Sequence, residues 1–483
     1  MQASNCIREA CFNTCCSPPL LHTSPPPSSD FASAIASSLH PNTVFTNPES
    51  LPPPGELLSA LTAAVPTYSN SPGAARARVS LDYVGHGLFS HAQADAHERF
   101  FDFSYGGAET ALHAAAKWRV MRYMNLSEED YMLVLTANQS SAFSLLAQSY
   151  PFESRQSLVT VYDHDSEALK PMTDAAGKCG GLYQSATFSW PGLRIISKKL
   201  RKVLTTKNRG LFAFPLQSKV SGARYSYQWM NLARENGWHV LLDASALAAK
   251  EMETLGLSLF HPDFIICSFF KIFGENPSGF CCLAVKKSSA SILKLPSTNM
   301  GIVNLVPETN STINDEVIEF GGLDEADELG LVRISGRVRC LVNWVVHALQ
   351  KLRHPGEGGL ALVEVYGPGV RVDRGGAVAF NVCDWKGERV EPGLVQKLAD
   401  RSNISLGVGF LSNIWFGDER RKKTKTKTKR RSGVGVVTAS LGMLSDFEDV
   451  YRLWAFVARF LDADFVEKEK WRYTALNQTT VEV

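Results

Sequence analysis

Asp263-Phe264-Ile265-Ile266-Cys267-Ser268-Phe269-Phe270-Lys271-Ile272-Phe273-Gly274 is an apolar run that carries one lysine into a turn marked by glycine. A buried strand ending in this way sets the amine at the rim of a sheet, where desolvation favours the neutral form that condenses with a carbonyl. Lys271 is therefore the candidate Schiff-base residue. Upstream, Trp238-His239-Val240-Leu241-Leu242 forms a second apolar strand and ends on Asp243, 28 residues before the lysine.

One cofactor requires both groups. Pyridoxal phosphate uses a lysine to bind its aldehyde and a carboxylate to keep its pyridine nitrogen protonated, so that the ring accepts electrons. Taken singly, each residue would be an ordinary solvated strand end or cap. Their order, spacing and matching strand contexts favour the cofactor pair. Thr136-Ala137-Asn138-Gln139-Ser140-Ser141-Ala142 follows another apolar run and opens a helical pattern. A helix start of this kind offers backbone N–H groups to a phosphate, which makes Gln139 and Ser140 cofactor-binding candidates. Tyr162-Asp163-His164-Asp165-Ser166 sets His164 just beyond a strand, where an imidazole can stack on a pyridine ring. Ser268, three residues before Lys271, is a further phosphate candidate.

The surrounding pattern is that of an α/β protein. Apolar runs at Tyr131 to Leu135, Leu158 to Tyr162, Gly210 to Phe214, Trp238 to Leu242, Phe264 to Cys267 and Phe280 to Val285 alternate with amphipathic stretches such as Ser226 to Asn236. Such alternation predicts a mostly parallel sheet. Residues 1–55, rich in Ser, Pro and Cys, read as an irregular leader; residues 56–310 as a large domain; residues 311–483 as a smaller α/β domain. In the last, helices are expected from Leu329 to Leu352 and from Asp446 to Leu461, with strands from Ala377 to Val382 and Val434 to Ala439.

Composition limits the alternatives. The 483 residues are 45% hydrophobic and 20% charged, the balance of a soluble globular chain with more than one domain. No apolar stretch approaches the roughly 20 residues of a membrane-spanning helix. The net charge of +2 conceals nine basic residues between Arg420 and Arg431, so the remainder sums to −7 and gives no argument for nucleic-acid binding. That run reads as a solvated loop over 418–432. Cys6, Cys11, Cys15 and Cys16 match no metal-ligand spacing and read as a thiol-bearing tail, so no metal site is expected. The ten cysteines do not form a disulfide scaffold, and no secretory or transit signal is evident, so a cytoplasmic protein is expected.

The sequence resembles the class V aminotransferase group of pyridoxal-phosphate fold type I. Within that group it is most similar to plant relatives of the molybdenum cofactor sulfurase. The resemblance runs from about Ser80 to Leu461. It rests on Leu81 to Ser90, Thr136 to Ala142, Leu211 to Ser218, Leu241 to Ala244, Ser268 to Gly274 and Ser440-Leu441-Gly442. It implies that Lys271 forms the Schiff base, Asp243 pairs with the pyridine nitrogen, His164 stacks on the ring, and Ser140 and Ser268 hold phosphate. It also implies a homodimer, a small amino-acid substrate and transfer of cysteine sulfur through an enzyme persulfide.

The chain departs from the pattern at specific places. Phe410 and Ser412 stand where the resemblance places cysteines, and Thr438 where it places the arginine that clamps a substrate carboxylate. Ala246 and Phe270 replace a glutamine and a histidine common in the group. Two readings stay open: a pyridoxal-phosphate transferase or lyase, and a catalytically altered scaffold that keeps the fold. Deleting Arg420 to Arg431 is expected to leave binding of pyridoxal phosphate unchanged, as read from the absorbance of the bound cofactor.

Overall fold

The computed structural model describes residues 43–65, 78–82, 102–104, 110–152, 157–206, 209–245, 255–269, 280–294, 301–306, 320–356, 359–369, 374–416 and 433–475. Lys271, Phe270, Ala246, the four N-terminal cysteines and the run from Arg420 to Arg431 lie outside the described residues.

Seven strands form the large sheet: β1 (Tyr131–Thr136), β2 (Ser157–Thr160), β3 (Leu182–Ser185), β4 (Leu211–Pro215), β5 (His239–Asp243), β6 (Phe264–Ser268) and β7 (Cys281–Lys286). Their order is β1-β7-β6-β5-β4-β2-β3. Only β7 runs antiparallel to its neighbours; β6, β5, β4, β2 and β3 pair in parallel. The apolar runs become strands because every residue of β2 and β4 is buried, as in parallel sheets covered on both faces. Alternate residues feed two different clusters: Phe212, Phe214, Val240, Leu242 and Ile265 on one face, Leu211, Ala213, Leu241, Phe264 and Ile266 on the other. The strand β3 was not expected from sequence. Its Leu182 and Tyr183 are exposed at the sheet edge, so no buried apolar run marks it.

A second sheet contains β8 (Val363–Tyr366), β9 (Ala377–Val382), β10 (Gly407–Leu411) and β11 (Val434–Ser440), ordered β8-β9-β11-β10 and antiparallel throughout. Around it pack α1 (Pro54–Ala64), α5 (Gly321–Gln350), α6 (Pro392–Arg401), α7 (Phe447–Ala458) and α8 (Ala463–Ala475), while α2 (Ala111–Tyr123), α3 (Gln139–Ser149) and α4 (Gln228–Glu235) accompany the large sheet. Although it precedes the large sheet in the chain, α1 buries Leu57 and Leu61 in the C-terminal cluster.

The helix expected from about Leu329 to Leu352 is present up to Gln350; a further helical stretch from Gly321 precedes it, and the two are separated at Gly330, whose φ of 74° lies in the left-handed region that glycine adopts without steric cost. One helix expectation is corrected. Beyond the helix that reaches Leu461 there is a further one, α8, which the sequence reading omitted because its polar residues are spread around the helix. It is fastened by charge. The buried Asp384 accepts from Lys470 Nζ at 2.6 Å, and Glu469 pairs with Arg401 and Arg472 at 2.8 and 2.9 Å. Although burial alone would raise the pKa of Asp384, the bonds from Lys470, Glu388 N and Lys386 N hold it below the usual value. Lys470→Met would leave this buried carboxylate without its cation and is expected to cost about 1–3 kcal/mol of stability, measured by urea denaturation.

Candidate active site

Each candidate cofactor residue within the described region lies at or just beyond the carboxyl end of a large-sheet strand, where parallel α/β sheets bind ligands. Asp243 is the last residue of β5, Gln139 and Ser140 open α3 after β1, His164 follows β2, and Ser268 ends β6. The register places Ile266 beside Asp243, so Ser268 lies two residues farther along the neighbouring strand.

Asp243 is buried and surrounded by donors. Tyr162 Oη donates to its Oδ2 at 2.9 Å, the Ser245 backbone N–H donates to Oδ1 at 3.0 Å, and Ser245 Oγ bonds the same oxygen. Gln139 Nε2 approaches both carboxylate oxygens at 3.4–3.5 Å and donates to Ser245 Oγ at 2.6 Å. Burial, followed by the charge of Asp243, pushes the Tyr162 phenol well above its ordinary pKa of 10, so it remains a donor. At the head of α3, Asn138 Oδ1 accepts from Ser141 N at 2.9 Å and caps the helix. Ser140 is exposed in that first turn.

His164 is fixed from behind. Its Nδ1 lies 2.8 Å from Asp163 Oδ1, and its ring meets Tyr162 edge-on with centroids 5.9 Å apart. Asp163 is fully buried and also accepts from Ser218 Oγ at 2.6 Å and from Ser221 Oγ. Burial by itself raises its pKa. The bonds from His164, Ser218 and Ser221 outweigh that and hold it below the usual 3.8.

The turn from Gln217 to Gly222 is clamped from both sides. Ser218 and Ser221 are tied to Asp163, and a Cβ on Gly222, with its φ of 70°, would collide with Ala377 O. Arg374 Nη1 donates to Ser221 O at 3.2 Å. The remaining guanidinium bonds go to the carbonyls of Pro368, Tyr366 and Ala377, which uses all five N–H donors of this buried arginine. Arg374 therefore has no donor left for a substrate carboxylate.

From this turn Lys219 extends to Gln139, with Nζ donating to Oε1. Sequence reasoning missed Lys219, Asp163, Tyr162 and Ser245. The available signal was a group of polar residues immediately after buried strands. The positions of the expected thiols also reach the site: Asp165 N donates to Phe410 O at 3.1 Å and Ser412 N to Asp163 O at 2.9 Å. Phe410, on β10, is partly exposed and Ser412, just beyond it, is buried, so this strand end borders His164 through Leu411 without offering a thiol at either position. Cys281 does adjoin the site, but burial pushes its thiol well above 9 and Sγ donates to Cys267 O at 3.0 Å.

No family model matches the chain. It is 25% identical over 327 residues to the molybdenum cofactor sulfurase of Caenorhabditis elegans, an alignment that covers 62% of this chain and 45% of that one. With the sulfurase of Arabidopsis thaliana it shares 26% identity over 468 residues, or 78% of this chain and 56% of the relative. The chain is a relative of the molybdenum cofactor sulfurases. Its fold is that of the cysteine desulfurases: the enzyme of Thermococcus onnurineus NA1 aligns with a TM-score of 0.57 at 18% identity, covering 81% of this chain and 95% of that one. A NifS-like protein of Rickettsia africae aligns with a TM-score of 0.54 at 10% identity, covering 79% and 99%. This is pyridoxal-phosphate fold type I. The chain spans about half the length of the curated sulfurases it matches. Among the described residues no helix is long and apolar enough to cross a membrane.

The lowered pKa of Asp163 has a consequence for acid stability. Its unfolded carboxylate takes a proton around 3.8 and the folded one only at lower pH, so its stabilisation is complete above about 4 and is lost as pH falls through the native value. Asp163→Asn is expected to lower stability at pH 7 by about 1–3 kcal/mol and to weaken that acid dependence, as read by denaturation at pH 7 and pH 3.

Proposed function

We propose that the chain binds pyridoxal 5'-phosphate at the carboxyl edge of the large sheet and acts on a small amino acid as a transferase or lyase of the sulfurase lineage. The supporting observation is Asp243: a buried carboxylate held by Tyr162 and Ser245 at the end of β5, within reach of the residue that opens α3. These residues fit the cofactor, since a carboxylate, a helix N-terminus and a braced imidazole meet its pyridine nitrogen, phosphate and ring face.

When bound, the cofactor supplies an electron sink for the amino acid's α-carbon. Asp243 holds the proton on the pyridine nitrogen, and Tyr162 and Ser245 keep that carboxylate oriented. His164 stacks on the ring with its tilt set by Asp163. Gln139, Ser140 and Ser268 bind around the phosphate, and Lys271 supplies the amine. A homodimer is the assembly that accompanies this reading. Sulfur transfer through a persulfide is not part of it, because Phe410 and Ser412 carry no thiol and Cys281 stays protonated.

The non-catalytic reading has its own support. Thr438 stands in place of the clamping arginine, and Arg374 has every donor committed. The absorbance of the purified protein with pyridoxal phosphate, before and after L-cysteine and with sulfide assayed in parallel, separates the two. A visible band is expected in the wild type and none in Lys271→Ala. A band that shifts and releases sulfide supports turnover despite the absent thiol, and a band indifferent to amino acids supports the scaffold. A wild type without any band overturns cofactor binding.

A further inference from the structure

The strand β3 closes one end of the large sheet, and among the described residues no strand pairs with its outer side. Just past it, Ala186 N donates inward to Thr160 O at 2.8 Å, so the alternation of main-chain groups turns those of Tyr183 and Ser185 outward. Among the described residues these outward N–H and C=O groups have no hydrogen-bond partner. Exposed edges are ordinarily guarded by charged side chains, proline or a bulge. This one is not: its register with β2 is unbroken, Leu182 and Tyr183 are 51% and 46% exposed, and the chain carries no charge and no proline from Gly180 to Trp190.

Charge gathers instead at the two ends of the edge, and it has one sign. No aspartate or glutamate occurs from Ala175 to Arg234, a stretch with eleven lysines and arginines. At the amino end, Lys178 is exposed in the last turn of the helix Lys170–Lys178, and Gly181 N bonds back to Ala176 O. At the carboxyl end, Ile196 N donates to Thr187 O at 2.9 Å, which sets the helix Ser197–Leu204 beside the end of the edge. That helix buries Leu200 and Leu204 and exposes Lys198, Lys199, Arg201 and Lys202, with the Lys199 ammonium 5.7 Å from the ring centre of the exposed Trp415. Among the described residues no carboxylate lies within ion-pair distance of these five cations.

Exposed lysines on a helix are by themselves a solvated face. Their position at the ends of an unguarded edge is what selects an occupant. A second copy of this chain, paired edge to edge, would bring like charges together. A nucleic acid would meet the cations and leave the main-chain groups of Tyr183 and Ser185 unpaired. We propose that the β3 edge docks an extended acidic segment of a partner protein, which adds a strand to the large sheet and sets carboxylates against Lys178 at one end and the helix Ser197–Leu204 at the other.

The test follows the fluorescence anisotropy of a labelled peptide, with an alternating valine and threonine centre flanked by glutamates, on the full chain. A lysine-flanked peptide and oligouridine are run beside it. Proline at position 183 removes an outward N–H and is tolerated at sheet edges, so Tyr183→Pro disables the edge, and Leu182→Glu does so with an exposed charge. The glutamate-flanked peptide is expected to bind wild type with a micromolar Kd. Each edge variant should weaken it roughly tenfold or more, the scale of one or two hydrogen bonds. The double variant Lys198→Glu, Lys199→Glu should weaken it by a similar factor and make binding less sensitive to salt. If Tyr183→Pro does not fold, Leu182→Glu decides. Absence of peptide binding, equal binding of the lysine-flanked peptide, or binding indifferent to the edge variants overturns the inference. Binding of oligouridine in place of the peptide assigns a nucleic acid to the cations, and wild-type self-association that the edge variants abolish assigns a second copy; either result overturns it as well.

Discussion

The carboxylate of Asp163 joins three parts of the chain that are far apart in sequence. It follows β2, braces His164, and accepts from Ser218 and Ser221 in the turn beyond β4, while its own carbonyl accepts from Ser412 beyond β10. The large sheet, the turn that carries Lys219 and the edge of the second sheet are thus registered on one buried anion. A buried charge is tolerated only when its acceptor sites are filled, and here they are filled by groups whose positions define the site. The stabilisation of the anion and the geometry of the crevice have the same cause.

Around that anchor, the crevice has two polar networks that meet at Tyr162. One holds Asp243 through Tyr162, Ser245 and Gln139; the other holds His164 through Asp163. Because the two rings of Tyr162 and His164 are in edge contact, the imidazole and the carboxylate are positioned relative to one another by side chains that need not touch a ligand. Packing supplies the rigidity. The strands beneath them send alternate residues into two apolar clusters, which fixes which way each strand end faces.

Much of this was legible in the sequence. Six of the seven large-sheet strands are buried apolar runs and announce themselves, whereas β3 is an exposed edge with no such pattern. The helix α8 was missed because its attachment depends on Glu469 meeting Arg401 and on Lys470 meeting Asp384, 68 and 86 residues away. Asp243, His164 and Gln139 stood out because each follows a strand. Tyr162 did not, since its role depends on a partner 81 residues distant, and Ser218, Lys219 and Ser221 read as ordinary turn residues. Local pattern reveals where strands end; it does not reveal which strand ends meet.

The turn between Gln217 and Gly222 also bears on how such a fold diversifies. Gly222 has no room for a side chain, Ser218 and Ser221 are committed to Asp163, and the carbonyl of Ser221 is committed to Arg374. Position 219 is the one whose side chain leaves this frame for the crevice. Exchanging it alters the charge beside Gln139 and Asp243 while the bonds that hold the turn remain. A lineage built on this frame can acquire a different electrostatic character by one substitution, with no new loop and no repacked core.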